Sequence, residues 1–240
     1  MRSGIIVLAQ HASSQGQRAV AERCADYLIR NGRRNVRIAF HYGTPSSDDV
    51  MMDMNRDGVD TFVILPLSIS EGKMTVWSMP QKLGLPDNCG SWRMIDGKDV
   101  ATRFATALGK NYALAEELIS REGAVRQDTA LLVLAYGSET RESEDTARFY
   151  AEELEGCGWR TEIAFCRHGR SISEAIQSVK GSGISRIRVI PLFIAFDGMA
   201  ASQAKEELDS SGLIVSYSRP VSADLVSFYK ILDSKVPDGW

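Results

Sequence analysis

Three histidines, at positions 11, 41 and 168, carry the only side chains of the sequence whose ordinary pKa lies close to neutrality. His11 comes two residues after the apolar run 4–9, separated from it only by Gln10, and is followed by Ala12-Ser13-Ser14. An imidazole in that position can accept a proton or hold a metal ion; it can equally be a hydrogen-bonded structural residue. A second apolar run ends in Pro66-Leu67 and opens into Ser68-Ile69-Ser70-Glu71-Gly72-Lys73-Met74. That short loop offers a carboxylate, an ammonium group and a soft thioether, although loop charges are commonly just solvated and methionines commonly just pack. His41 closes a third apolar run, and Arg167, His168 and Arg170 form a basic knot later in the chain.

Composition removes several competing kinds of chemistry. A formal net charge of -3 gives no electrostatic footprint for nucleic acid, and no Lys/Arg run suggests a membrane surface. The apolar stretches are far too short to span a bilayer. Cys24, Cys89, Cys157 and Cys166 form no CxxC and no zinc spacing, and read as reduced thiols of a cytoplasmic protein. The early apolar run, interrupted by Gln10 and His11, reads as a buried first strand and not as a signal peptide. Glu71-Gly72 and Asp197-Gly198 are single turn signals, unlike a phosphate-binding glycine loop.

The elements that would position these residues are written twice. A gapless shift of 125 residues lays Ile38-Ala39-Phe40 on Ile163-Ala164-Phe165, Pro66-Leu67 on Pro191-Leu192, Gly58 on Gly183, Ser13 on Ser138 and Met74 on Met199. The same shift sets Tyr136 opposite His11, so chemistry at His11 is expected once, in the first copy. Each copy alternates short apolar runs with helical periodicity. Val20, Cys24 and Leu28 share one helix face. Ser46 with Asp49, and Ser171 with Glu174, predict capping boxes, and Gly58 and Gly183 predict helix ends. A fourth strand is expected at 92–95 and again at 214–217. Final helices are expected through Val100, Phe104 and Ala107, and through Leu225, Tyr229 and Leu232. The pattern predicts an α/β protein of two flavodoxin-like, parallel four-stranded subdomains. The halves are expected at residues 1–115 and 126–240, joined at 116–125 within a charged helical stretch, 111–126.

In an open parallel sheet, ligands bind beyond the carboxyl ends of the strands, where strand order reverses. In a 2-1-3-4 sheet that point lies between strands one and three. It therefore collects His11 from the first strand and Glu71, Lys73 and Met74 from the loop after the third, with His41 on the same rim.

A strand ending in His-small-Ser, a second ending in Ala-Phe before Pro-Ser, and a Pro-Leu strand before a glycine-containing loop resemble the class II chelatases. More specifically, the chain resembles the long, internally duplicated CbiX-type sirohydrochlorin chelatases, once per half. The resemblance implies two histidines that hold an incoming divalent ion or accept pyrrole protons, one after strand one and one in the loop after strand three. His11 matches the first. Met74 stands at the second, so His11, Glu71 and Met74 form the implied metal set, with His11 and Glu71 the implied catalytic pair. Ser13, Lys73, Tyr136, Ser138, Arg141, Arg167 and Arg170 would meet the acidic side chains of the tetrapyrrole. Ser13 and Ser138 would also sit at helix N-termini.

The function expected on this resemblance is insertion of cobalt, nickel or ferrous iron into a sirohydrochlorin-type tetrapyrrole, with the metal as co-substrate and no permanent cofactor. The partners expected are the macrocycle and the ion, without nucleic acid or membrane, in a cytoplasmic monomer or homodimer. The competing expectation is a non-catalytic carrier or sensor of tetrapyrrole or metal, which loss of the second histidine favours.

Overall fold

The computed structural model describes residues 2–85, 89–93 and 99–238. Its first run of elements is β1 (Ser3–His11), α1 (Gln15–Arg30), β2 (Val36–Tyr42), α2 (Ser47–Arg56) and β3 (Thr61–Pro66). A π-helical turn, Met74–Ser78, then leads into α3 (Met79–Lys82), β4 (Cys89–Arg93), β5 (Asp99–Phe104) and α4 (Tyr112–Glu122). The second run is β6 (Thr129–Ala135), α5 (Arg141–Gly156), β7 (Thr161–Phe165), α6 (Ile172–Gly181) and β8 (Arg186–Leu192). It ends with α7 (Gly198–Asp209), β9 (Ile214–Tyr217), α8 (Val221–Asp224) and α9 (Val226–Ser234).

Four parallel strands form each sheet, in the orders β2-β1-β3-β5 and β7-β6-β8-β9; β4 adds an antiparallel edge to the first. The central strands are apolar on both faces because helices cover both: Ile5, Ile6, Val7 and Ala9 are fully buried, as are Ala130 to Leu134. Both predicted capping boxes are present, Ser46 with Asp49 on α2 and Ser171 with Glu174 on α6. Gly58 and Gly183 follow these helices with φ of 88° and 76°, a region that favours glycine.

The fold overturns two details of the sequence reading. The stretch 100–107 was expected to be helical, but β5 runs through it, with Val100, Thr102 and Phe104 buried and the residues between them exposed. Val100 and Phe104 lie four apart, a spacing that suits a helix turn and a strand face alike, so the two periods were not separable there. β5, not 92–95, is the parallel partner of β3. Of that expected strand, residues 94 and 95 lie outside the described residues, while 92 and 93 belong to β4.

The second correction concerns the register of the repeat. Ala9 pairs with Phe40 and Leu8 with Pro66; in the second sheet Ala135 pairs with Phe165 and Leu134 with Pro191. The first strand therefore maps onto β6 with a shift of 126, while the second and third strands keep 125. Helix α1 follows the same shift: buried Val20, Ala21, Cys24, Ala25 and Leu28 correspond to Thr146, Ala147, Tyr150, Ala151 and Leu154. The difference is absorbed between α1 and β2, residues 31–35, which are one residue longer than 157–160 and include Asn35 at φ 51°. Gly137, not Tyr136, is thus the counterpart of His11, and Tyr136 is the counterpart of Gln10.

The chain forms two compact units, residues 1–108 with 228–240, and residues 109–227. The expected halves were drawn on the repeat; the units are drawn on contacts, and they differ at the terminal helices. α4, the predicted helical stretch at 111–126, belongs to the second unit, and most of α9 belongs to the first. In the first unit Arg33 donates to Asp233 at 2.7 Å and Tyr27 stacks on Tyr229. In the second, buried Glu122 of α4 accepts from Ser218 at 2.9 Å and pairs with Arg121 and Arg188.

Candidate active site

Strand order in the first sheet reverses at β1, which lies between β2 and β3. His11 is the last residue of β1 and is exposed at its carboxyl end. Two elements hold it. Ser14, the N-cap of α1, accepts from the Gln17 amide at 3.0 Å. The Gln17 side-chain oxygen in turn accepts from the backbone amides of Gln10 (3.1 Å) and His11 (2.9 Å). On the ring side, Tyr42 is the register partner of His11, and their rings stack with centroids 4.9 Å apart and planes at 24°. The cap expected at Ser13 is made by Ser14 instead; Ser13 is exposed beside it.

His41 points to the other side of β2 and is buried, with its ring edge-on to Tyr42 at 4.4 Å. Its carbonyl accepts from Lys82 Nζ at 2.9 Å. Burial depresses its pKa below the usual histidine value, and the positive charge of Lys82 and the neighbouring His11 push it the same way, so His41 favours the neutral ring. Asp48, on α2, has a buried Oδ1 without a hydrogen-bond partner. Burial raises its pKa, Lys82 opposes that shift, and Asp49 adds to it. Arg18 lies over the Phe40 ring at 4.8 Å and donates to the Ala12 carbonyl at 3.1 Å.

The loop after β3 is fastened both by its own side chains and by the segment after β5. Glu71 Oε1 accepts from the Ala107 amide at 2.7 Å and Oε2 accepts from Thr75 Oγ1 at 3.0 Å. The Leu108 amide donates to the Ser68 carbonyl at 3.0 Å, so the segment after β5 holds this loop at two points. Met74 opens the π-helical turn and packs half-buried against the core cluster of the first unit. Lys73 is exposed. Among the described residues, no group of three or more His, Cys, Asp or Glu side chains is arranged to hold a metal ion.

In the second unit, Ser138 and Arg141 line an open depression of about 320 Å³ with Glu139, Thr140, Glu144, His168 and Gly169. Arg141 is 90% exposed, and His168 lies 4.0 Å from Glu139. Arg170 is committed elsewhere: it pairs with Glu162 and donates to the Glu174 carbonyl at 3.4 Å. Arg167 is exposed and its amide donates to the carbonyl of Tyr136, itself 53% exposed.

Sequence reasoning singled out His11 and His41 but missed Gln17, Tyr42, Asp48 and Lys82. Tyr42 was findable, since a parallel pairing that aligns the apolar runs of strands one and two carries His11 onto it. Gln17 and Lys82 act through side chains bonded to backbone groups, Gln17 on the strand just before its helix and Lys82 on a strand 41 residues away, and such bonds leave no trace in periodicity.

Among the described residues, no helix is long and apolar enough to cross a membrane. No curated protein is similar enough to match the chain. Solved structures share its fold. A multi-domain protein of Deinococcus radiodurans, described as structurally similar to chelatases, is 18% identical with a TM-score of 0.69 over 98% of this chain. The chain spans 54% of that protein's length. SirB of Bacillus subtilis with Fe3+ has a TM-score of 0.76 at 12% identity, covering 98% of this chain and 94% of SirB. CbiX, described as the terminal enzyme for siroheme biosynthesis in denitrifying bacteria, has a TM-score of 0.64 at 19% identity, covering 97% of each chain. The CbiX family profile matches residues 4–124 and again 130–232, once for each copy of the repeat. The chain belongs to the CbiX family.

Proposed function

We propose that this chain inserts a divalent metal, cobalt(II), nickel(II) or iron(II), into a sirohydrochlorin-type tetrapyrrole. The observation that carries the reading is the exposed His11 at the carboxyl end of β1, at the strand-order reversal of a CbiX-family chain. Insertion replaces two pyrrole N–H protons by one metal ion. A neutral imidazole can receive such a proton or hold the ion beside the ring, and both roles are open to His11. Ser13 and Lys73, exposed on the same unit, are offered as contacts for the macrocycle's carboxylates.

Glu71 takes a different part from the base expected of it. With both carboxylate oxygens bonded inside its own unit, it serves in this reading to hold the loop after β3 in shape. Met74, packed against the core, is assigned to packing. The metal enters as a substrate, and the reading needs no resident cofactor.

The engagement of Glu71 and Met74 also favours a second reading, a carrier that binds the macrocycle or ion without joining them. One experiment separates the two: the protein is incubated with sirohydrochlorin and cobalt(II), nickel(II) or iron(II), and the visible spectrum is followed against a protein-free control. Faster spectral conversion with at least one metal supports the chelatase. Binding of the macrocycle without acceleration by any of the three supports the carrier.

A further inference from the structure

The surroundings of His11 differ between the two copies of the repeat in a concerted way. With the corrected register, His11 corresponds to Gly137 and Gln17 to Ser143, while on the second strand Tyr42 corresponds to Arg167 and His41 to Cys166. The copy that has the imidazole has the amide oxygen that fixes its backbone, the ring that stacks on it and the second ring that supports the stack. The copy without the imidazole has none of these three.

We propose that Gln17 and Tyr42 are positioning residues for the His11 imidazole, a proposal that rests on the chelatase reading. Gln17 sets the backbone: one amide oxygen receives two consecutive N–H groups at 3.1 and 2.9 Å, and its own helix is capped by Ser14. Tyr42 sets the ring plane by an offset stack, a geometry that aromatic pairs favour. The Tyr42 backbone is held by its carbonyl, which accepts the Ala12 amide at 2.9 Å, and its half-exposed ring is met on one side by His41. His41 is itself buried and tied through its carbonyl to Lys82. The contacts run from His11 through Tyr42 to the buried His41, so the arrangement is present before substrate arrives. A group that must meet either a metal ion or a pyrrole N–H gains rate from such preorganisation.

The test uses the full chain with sirohydrochlorin and cobalt(II), comparing Tyr42→Leu, Tyr42→Phe, Gln17→Ala, Gln17→Glu and His11→Ala, each first shown to be folded by circular dichroism. The His11 ring proton shifts are followed by NMR in parallel. Tyr42→Leu and Gln17→Ala are expected to lower kcat about tenfold or more with KM within about twofold. Tyr42→Phe, which keeps the stack, and Gln17→Glu, which keeps the acceptor, are expected to restore most of it. Tyr42→Leu should also move the His11 ring resonances by removing the tyrosine ring current, and Tyr42→Phe should not. If kcat is unchanged in Tyr42→Leu and Gln17→Ala while His11→Ala abolishes insertion, the clamp is wrong and the chelatase reading stands. If His11→Ala leaves the rate intact, the reading of His11 itself fails. If Tyr42→Leu leaves the His11 resonances in place, the stack fails whatever the enzymology shows.

Discussion

At the scale of single residues, the rim of the first unit sets an exposed imidazole, His11, beside a buried one, His41, whose burial makes stability depend on pH. The depressed pKa of His41 means that the unfolded chain takes up its proton near the ordinary value, about 6.5, where the folded protein does not. Its contribution to stability is therefore present above that pH and is lost as pH falls through the folded value. The urea midpoint should decline from pH 7 toward pH 5, and His41→Gln should flatten that decline; an unchanged slope in the variant would show that His41 is not its source. Asp48 has the opposite sign, its raised pKa favouring the folded state only while it is protonated, in the lower carboxylate range. Glu71 is argued to hold its loop, so Glu71→Ala should cost about 1–3 kcal/mol by denaturant melting, the range for deleting a charged hydrogen-bonding partner. A variant as stable as the parent would return Glu71 to the list of candidate bases.

At the scale of elements, the two copies diverge where one residue is added or a strand hairpin is inserted. Gly137 has φ of 85°, and a Cβ there would come 2.5 Å from the backbone oxygen of His168. Gly137→Ala should therefore destabilise the protein by about 1–3 kcal/mol from backbone conformation alone, with the clash added. A neutral result by thermal melting would contradict the left-handed backbone and the close approach of His168 at this position. The register that places Gly137 opposite His11 is where the sequence was hardest to read. Caps at Ser46 and Ser171, glycine stops at 58 and 183, and the fully apolar central strands were all legible, because each rests on local chemistry. The extra residue between α1 and β2 was hidden by reading the repeat at one gapless offset: a shift of 125 lays Val20 on Asp145 and Leu28 on Glu153, whereas 126 lays them on the buried Thr146 and Leu154. For the same reason Tyr136, exposed and one position too early, looked like the partner of His11. The hairpin of β4 and β5 was hidden by a four-residue spacing common to strands and helices.

At the scale of the whole molecule, duplication did not produce two self-sufficient halves. Leu114, Ala115 and Leu118 of α4 are buried in the second unit, while Phe228, Leu232 and Val236 from the C-terminal end are buried in the first. Residues 1–115 alone lack the second set and residues 126–240 alone lack the first. Each fragment is expected to bind a hydrophobic dye and to unfold without a sharp transition. Cooperative unfolding of either fragment alone would show that the terminal helices are dispensable. His11 and the residues that contact it, Gln17 and Tyr42, all belong to the first unit.

The central claim is that His11 carries the chemistry, and the initial rate of cobalt(II) insertion into sirohydrochlorin by His11→Ala, set beside the unaltered chain, tests it most directly. The account predicts a folded variant that still binds the macrocycle but inserts metal about 10²–10⁴-fold more slowly, the scale of a lost general base. A folded His11→Ala protein that inserts cobalt at the parent rate would contradict it.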